Sequence, residues 1–178
     1  KKSSGGALME IRKLGVVSPV CIIDLKNFYS NIIITNKFTP INDTLGQYLK
    51  VISKLNTIRQ EEQILGEDIE DLPKLKQLTE SLIGSLNSKD FIFYDPELYG
   101  KIIKEGRRIL GRVLHQIDNL AKEYEKRGDY LEVIRVHTDG IHLRTKAKLC
   151  ETEIEQKLNE FLCKSESPNY KFKYEGYY

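Results

Sequence analysis

Two aspartates are the residues of this sequence best suited to chemistry. Asp24 closes the apolar run Val20-Cys21-Ile22-Ile23, and Asp139 lies in His137-Thr138-Asp139-Gly140, between two short stretches of β-forming residues. If the strand ending at Asp24 neighbours the hairpin holding Asp139, both carboxylates reach one edge of a sheet. Such a pair supplies the hard oxygen ligands that two Mg²⁺ ions about 4 Å apart require, one beside an attacking hydroxyl and one beside a leaving phosphate. An ordinary reading exists as well: aspartate suits hairpin turns for their geometry, and a strand-end aspartate is often only solvated.

The elements that must position this pair follow from periodicity. Residues 1–16 are polar, carry Gly5-Gly6, and read as an arm with a short extended piece at Ala7–Ile11. Val20–Ile23 reads as a strand buried on both faces, and a helical stretch from Phe28 to Ile34 follows it. Thr44 is expected to cap a helix with Leu45, Leu49, Ile52 and Leu55 at helical spacing, running to about Leu65 and stopped by Gly66. Asp71 and Pro73 suit the start of the next helix, whose apolar stripe is Leu75, Leu78, Leu82 and Leu86. Joined by an acidic turn, the two form an antiparallel hairpin.

Phe91-Ile92-Phe93 reads as a brief strand. Asp95-Pro96 opens the longest helix, from about Glu97 to Lys126, with Ile102, Ile109, Val113, Ile117 and Leu120 on one face and Gly128 as its stop. The period then changes to two. Leu131–Val136 and Ile141–Leu143 form a β-hairpin, residues 150–163 a last helix facing inward through Ile154, Leu158, Phe161 and Leu162, and residues 170–177 a final strand. The simplest assembly is α+β: a small antiparallel sheet backed by helices, with a helical hairpin inserted early.

Composition narrows the class. The 178 residues are 40% hydrophobic and 30% charged, enough apolar material for one domain with a core. No run approaches the ~18 apolar residues that span a bilayer, and the first ten residues lack a signal-peptide apolar region, so no membrane is expected. Cys21, Cys150 and Cys163 are too few and too scattered for a disulfide framework or a C-x-x-C zinc site, which points to a reducing, cytoplasmic setting. The net charge of +2 announces no nucleic-acid partner, but its distribution is uneven. Residues 61–71 hold six acids and no base, whereas residues 98–148 hold twelve Lys and Arg against seven Asp and Glu, an excess that suits phosphate. A chain beginning with Lys also reads as a piece of something longer.

Val20-Cys21-Ile22-Ile23-Asp24-Leu25-Lys26-Asn27-Phe28-Tyr29-Ser30-Asn31-Ile32-Ile33 resembles the first palm motif of family B DNA polymerases: an aspartate, two or three residues, then Leu-Tyr-Pro-Ser-Ile-Ile. Phe28 stands for the usual leucine and Ser30 for the proline, while Asp24, Tyr29 and the paired isoleucines are kept. Residues 76–84 are similar to the family's fingers motif, Lys-x-x-x-Asn-Ser-x-Tyr-Gly. Lys76, Ser81 and Gly84 match, with Glu80 in place of asparagine and Ile83 in place of tyrosine. Val136–Gly140 resembles Gly-Asp-Thr-Asp-Ser, keeping the second aspartate as Asp139 and replacing the first with His137. Gly106-Arg107-Arg108-Ile109-Leu110 and residues 172–178 also look like family sequence. The motifs come in family order and cover nearly the whole chain.

The resemblance implies a polymerase palm over residues 1–40 and 89–178, with residues 41–88 as shortened fingers. The exonuclease and thumb regions would come from a longer parent chain or accessory replication proteins. The substitutions suggest a divergent lineage, such as the second, degenerate family B polymerase of some archaea. The implied activity is template-directed DNA synthesis: a primer 3′-OH attacks a dNTP on primer–template DNA, with two Mg²⁺ ions, or Mn²⁺ in their place, on Asp24 and Asp139. Glu175 matches an auxiliary palm carboxylate. The backbone N–H groups of Asn27 and Phe28 would face the triphosphate, Tyr29 would exclude a ribose 2′-OH, and Lys76 and Arg59 would bring cations to the phosphates. Two substitutions argue for slow chemistry. A neutral imidazole at His137 lacks the charge of aspartate, and Glu80, one turn beyond Lys76, can pair with that lysine and repel a nucleotide. The alternative is an inactive palm-like module that binds DNA or scaffolds a replication complex.

Overall fold

The computed structural model of the chain describes residues 9–13, 15, 20–65 and 72–177. Gly5-Gly6, the Gly66 stop, the Asp71 cap and most of the acidic turn lie outside them. The architecture is the expected α+β. Five strands, β1 (Met9–Ile11), β2 (Cys21–Leu25), β3 (Glu132–His137), β4 (Gly140–Arg144) and β5 (Phe172–Tyr177), form one antiparallel sheet in the order β1-β3-β4-β2-β5. The helices are α1 (Phe28–Asn36), α2 (Gln47–Leu65), α3 (Leu72–Ser85), α4 (Pro96–Lys126), a short α5 (Ala147–Leu149) and α6 (Glu155–Ser165). A π turn, Cys150–Ile154, joins the last two into one continuous segment. The chain divides into two compact units, residues 1–28 with 105–178, and residues 29–104.

In the first unit the sheet alternates. Cys21, Ile23, Leu25, Val136, Ile141, Leu143 and Phe172 are buried, whereas Ile22 and Asp24 are half-buried and Arg135 and His137 exposed. β2 is therefore covered on one face only, a correction to its reading as a strand dry on both. Its apolar run reflects a central place between β4 and β5, and antiparallel sheets commonly leave one face open. The outer edge of β5 is closed by side chains from α6. Asn159 accepts from the Phe172 N–H at 2.6 Å and donates to its carbonyl at 3.2 Å, and Glu155 accepts from the Tyr174 N–H at 3.0 Å. An edge satisfied in this way offers no template for a further strand.

α4 supplies Ile109, Val113, Ile117 and Leu120 to the buried set, on the face its period predicts. It ends as expected at Gly128, whose φ of 75° belongs to a Schellman cap: Gly128 N–H donates to Glu125 O at 3.0 Å and Asp129 N–H to Tyr124 O at 2.9 Å. Ion pairs bind it to the segment after β4. Arg108 and Arg112 both hold the buried Glu166 carboxylate, Arg127 meets Glu153 at 3.0 Å, and Lys157 meets Glu123 at 2.7 Å.

The second unit departs from its expected details. Asp43, not Thr44, caps α2: its two carboxylate oxygens accept from the N–H groups of Gln47 at 2.9 Å and Tyr48 at 2.7 Å. The helix thus starts later, Leu45 lies outside it, 71% exposed, and the buried stripe is Tyr48, Ile52, Asn56 and Arg59. On α3 the buried positions are Thr79 and Ile83, with Leu86 buried just beyond its end, and Leu78 points largely outward. Phe91-Ile92-Phe93 forms turns instead of a strand, with Phe91 N–H bonded to Ser88 O and Tyr94 N–H to Phe91 O. Phe93 packs edge-on against Tyr48 and Phe91, so ring contacts take the place of a strand partner. Asp95 starts α4 as expected, accepting from Leu98 N–H at 2.8 Å.

Candidate functional site

The β2–β4 ladder brings Asp24 opposite Gly140, and Leu25 N–H donates to the Asp139 carbonyl at 3.1 Å. The strand carrying Asp24 and the turn carrying Asp139 therefore meet at one end of one sheet. Register extends this into a cross-strand row on the open face: Met9, His137, Gly140, Asp24 and Lys173 are successive partners across β1, β3, β4, β2 and β5. Gly140 leaves a gap between His137 and Asp24, and the Asp24 carboxylate leans into it. A Cβ at position 140 would sit 3.1 Å from Asp24 Oδ1. The resembled motif has serine there, so the glycine gives Asp24 room that a side chain would take.

The hairpin turn is tight, because His137 and Gly140 pair directly and leave only Thr138 and Asp139 to reverse the chain. Thr138 adopts a φ of 60°, an uncommon place for a β-branched residue and one that stores strain. Its hydroxyl oxygen lies 3.4 Å from His137 Nδ1. At the end of β2, Asn27 also has a positive φ, 49°, which asparagine tolerates, and its Oδ1 is buried without a hydrogen-bond partner. Phe28 begins α1, buried and edge-on to Tyr170. Glu175 occupies the bulge in β5 between the partners of Ile22 and Ile23, exposed and paired with Lys173 at 3.2 Å.

The first unit thus gathers Asp24, Asp139, His137, Asn27, Phe28 and Glu175. Tyr29, Arg59, Lys76, Glu80 and Ile83 belong to the second unit. There α2 and α3 bring charge together. Lys76 is exposed and lies 3.8 Å from Glu80, the i,i+4 pair expected from spacing. Arg59, in contrast, is only 7% exposed, and its Nε is buried without a partner. Burial pushes its pKa down, and the nearby Glu80 carboxylate partly offsets the shift. One turn earlier, Asn56 donates to Asn31 at 3.1 Å while its own Oδ1 is unpaired. Ile83 is buried where the resembled motif has tyrosine. Tyr29 is half-buried on α1.

Inspection of the two aspartates alone misses the basic character of the open face. A second cross-strand row places Ile11, Arg135, His142 and Ile22 beside the first. Burial pushes the His142 pKa down, and the neighbouring Arg135 and His137 push the same way. Alternation in Ile134-Arg135-Val136-His137 and Ile141-His142-Leu143-Arg144 already carried this signal, since every second side chain shares a face.

Among the described residues no group of three or more His, Cys, Asp and Glu side chains is placed to hold a metal ion. Mg²⁺ is commonly bound by one or two carboxylates together with substrate phosphates and water, so a group of three such side chains is not a requirement for that metal. No helix among the described residues is long and apolar enough to cross a membrane.

No family profile matches the chain, and no curated protein matches it by sequence. A solved structure does. The family B DNA polymerase from the hyperthermophilic archaeon Pyrobaculum calidifontis aligns with a TM-score of 0.65 and 17% identity, over 99% of this chain and 26% of that one. The fold is polymerase-like. This chain spans about a quarter of that polymerase's length.

Proposed function

We propose that this chain is the palm and shortened fingers of a divergent family B DNA polymerase, related to the degenerate second polymerase of some archaea. The observation that carries this reading is the meeting of Asp24 with the Asp139 turn at one sheet end, on a polymerase-like fold. Asp24 and Asp139 would hold Mg²⁺, with Glu175 as an auxiliary carboxylate on the neighbouring strand. When bound, the metal would supply positive charge beside the primer hydroxyl and the leaving pyrophosphate. The Asn27 and Phe28 amides, opening α1, would face the triphosphate, as unsatisfied N–H groups at a helix start favour anions. Tyr29 would exclude ribonucleotides, and Lys76 and Arg59 would bind phosphates. The open face, with Arg135 and Lys173, suits a primer–template backbone.

A second reading, a non-catalytic DNA-binding or scaffolding palm, is favoured by His137 in place of an aspartate and by Glu80 beside both cations. Primer extension by the full-length parent separates the two. Synthesis that disappears in both Asp24→Ala and Asp139→Ala supports the polymerase. DNA binding without extension, unchanged in those variants, supports the module.

A further inference from the structure

A cavity that the proposed site does not use lies within the second unit. It measures about 500 Å³, inside the roughly 300–1,000 Å³ range of ordinary ligand pockets. Thr39 and Ile41, from the loop after α1, line one side. Tyr94, Pro96, Glu97 and Lys101, at and just before the start of α4, line the rest together with buried Leu98. The two sides are joined before any ligand arrives. One Asp95 carboxylate oxygen accepts from Ile41 N–H at 3.0 Å and the other from Leu98 N–H at 2.8 Å, while Asn42 Nδ2 donates to Ile92 O at 2.6 Å. A groove fixed in this way costs a ligand little ordering. Its apolar lining faces water, with Ile41 89% and Tyr94 36% exposed, and would gain from being covered. Asp95 is satisfied, so the charges left for a ligand are Glu97 and Lys101, both exposed. We propose that this groove seats one unpaired nucleotide of single-stranded DNA: the base on the Tyr94 ring, its amino group on the Glu97 carboxylate, and an adjoining phosphate on Lys101.

The lining offers three kinds of contact, and a nucleotide answers all three. A base has a flat π face, and stacking on an aromatic side chain is worth about 5- to 150-fold in affinity. A carboxylate accepts from an exocyclic amino group, as glutamate does from cytosine N4. Thymine has no amino group, and its ring N–H lies between two carbonyl oxygens that a carboxylate repels. An ammonium group binds phosphate as a point charge. Glu97 and Lys101 are four residues apart on α4, so their side chains share a face and act on the same ligand. An acid in the first turn also suits the helix dipole, but that ordinary role does not put Tyr94 and Lys101 beside it. The groove shares no residue with the proposed metal and phosphate site, and only the choice of DNA as ligand rests on that reading.

The test measures binding of short fluorescein-labelled oligo(dC) and oligo(dT) to the full chain by anisotropy. Oligo(dC) should bind more tightly. Tyr94→Ala should weaken oligo(dC) binding by about 5- to 150-fold, and Lys101→Ala by about two- to fivefold. Glu97→Gln should remove the preference for dC over dT. All three side chains are exposed, so the unfolding midpoints should stay near that of the wild type. An oligonucleotide carrying iodinated cytosine, irradiated on the unaltered chain, should cross-link to Tyr94, which places the base without any substitution. Cross-links confined to the sheet, or a dC preference unchanged in Glu97→Gln, would overturn the proposal. Free dCMP carries the same base and one phosphate, and should compete weakly. Displacement by dCMP as effective as by unlabelled oligo(dC) would overturn the assignment to a strand. A Tyr94 cross-link in a parent that cannot extend a primer supports the groove and removes only the polymerase reading. Extension by a parent with no Tyr94 cross-link removes only the groove.

Discussion

The sheet end and the helical hairpin hold their charged residues by different means. At the sheet end the main chain sets the positions: the β2–β4 register puts Asp24 against Gly140, and the Leu25 N–H bonds the Asp139 carbonyl. The side chain at His137 is not part of that geometry, because the ladder is made by the main chain. In the α2–α3 hairpin each position depends on which stripe of a helix is buried. Arg59 falls on the buried stripe and Lys76 on the exposed face, and the single acid Glu80 acts on both. Register therefore fixes the place of a residue whatever its side chain, whereas on a helix face a single acid sets the local charge.

The largest effect should separate these regions directly. If the proposed function holds, Asp24→Asn or Asp139→Asn in the full-length parent should lower kcat/KM for dNTP incorporation by about 10²–10³-fold, since each would remove charge stabilisation at the reacting atoms. Lys76→Ala should cost about tenfold or less, because its exposed cation is already shared with Glu80. Primer-extension kinetics measure both. Equal losses at Asp139 and Lys76 would break the contrast. Tyr29→Ala should relax sugar discrimination by about 30- to 1,000-fold, read as ribonucleotide against deoxyribonucleotide incorporation, if its ring acts as a steric barrier. Unchanged selectivity would make Tyr29 a packing residue.

The sequence made the sheet legible because strand period and turn chemistry are local. The run before Asp24, the hairpin around Asp139 and the Asp95 and Gly128 ends of α4 all appear where expected. The helical hairpin was legible only in outline. Asp43 caps α2 in place of the expected Thr44, which moves the helix start, and the leucine stripe could not show that Asn56 and Arg59 are the buried pair. Such polar burial is decided by neighbours distant in sequence, as in the Asn31–Asn56 bond.

Glu80 gives a smaller and sharper test. Glu80→Gln removes the carboxylate beside Lys76 and Arg59 and keeps the side-chain volume, so the KM for dNTP should fall about two- to fivefold, the scale of an exposed ion pair. Arg59→Met should leave thermal stability unchanged or raise it, because the buried Arg59 Nε has no partner, while weakening nucleotide binding. A stability loss with unaltered nucleotide affinity would assign Arg59 to the core and remove the hairpin from the site.

The smallest effect tests whether neighbouring residues shape the charge of the open sheet face. His142 lies between Arg135 on β3 and Ile22 on β2, and burial, then Arg135, then His137 hold its pKa below the ordinary 6.5. The folded chain therefore binds fewer protons at this site than the unfolded chain does as pH falls through 6.5. Stability should drop across that point and keep dropping until the lower folded-state pKa is passed. His142→Gln removes the group and should flatten this part of the profile. Thermal unfolding from about pH 7.5 to about pH 5.5 should then show a midpoint decline smaller in the variant by about 1–3 °C. Primer–template DNA bound to this face should oppose the shift, because phosphates favour the imidazolium, so the wild-type slope should weaken when DNA is present. Identical slopes for wild type and variant without DNA would mean that neither burial nor Arg135 and His137 holds the His142 pKa down. The row beside Asp24 would then be a set of separate solvated charges.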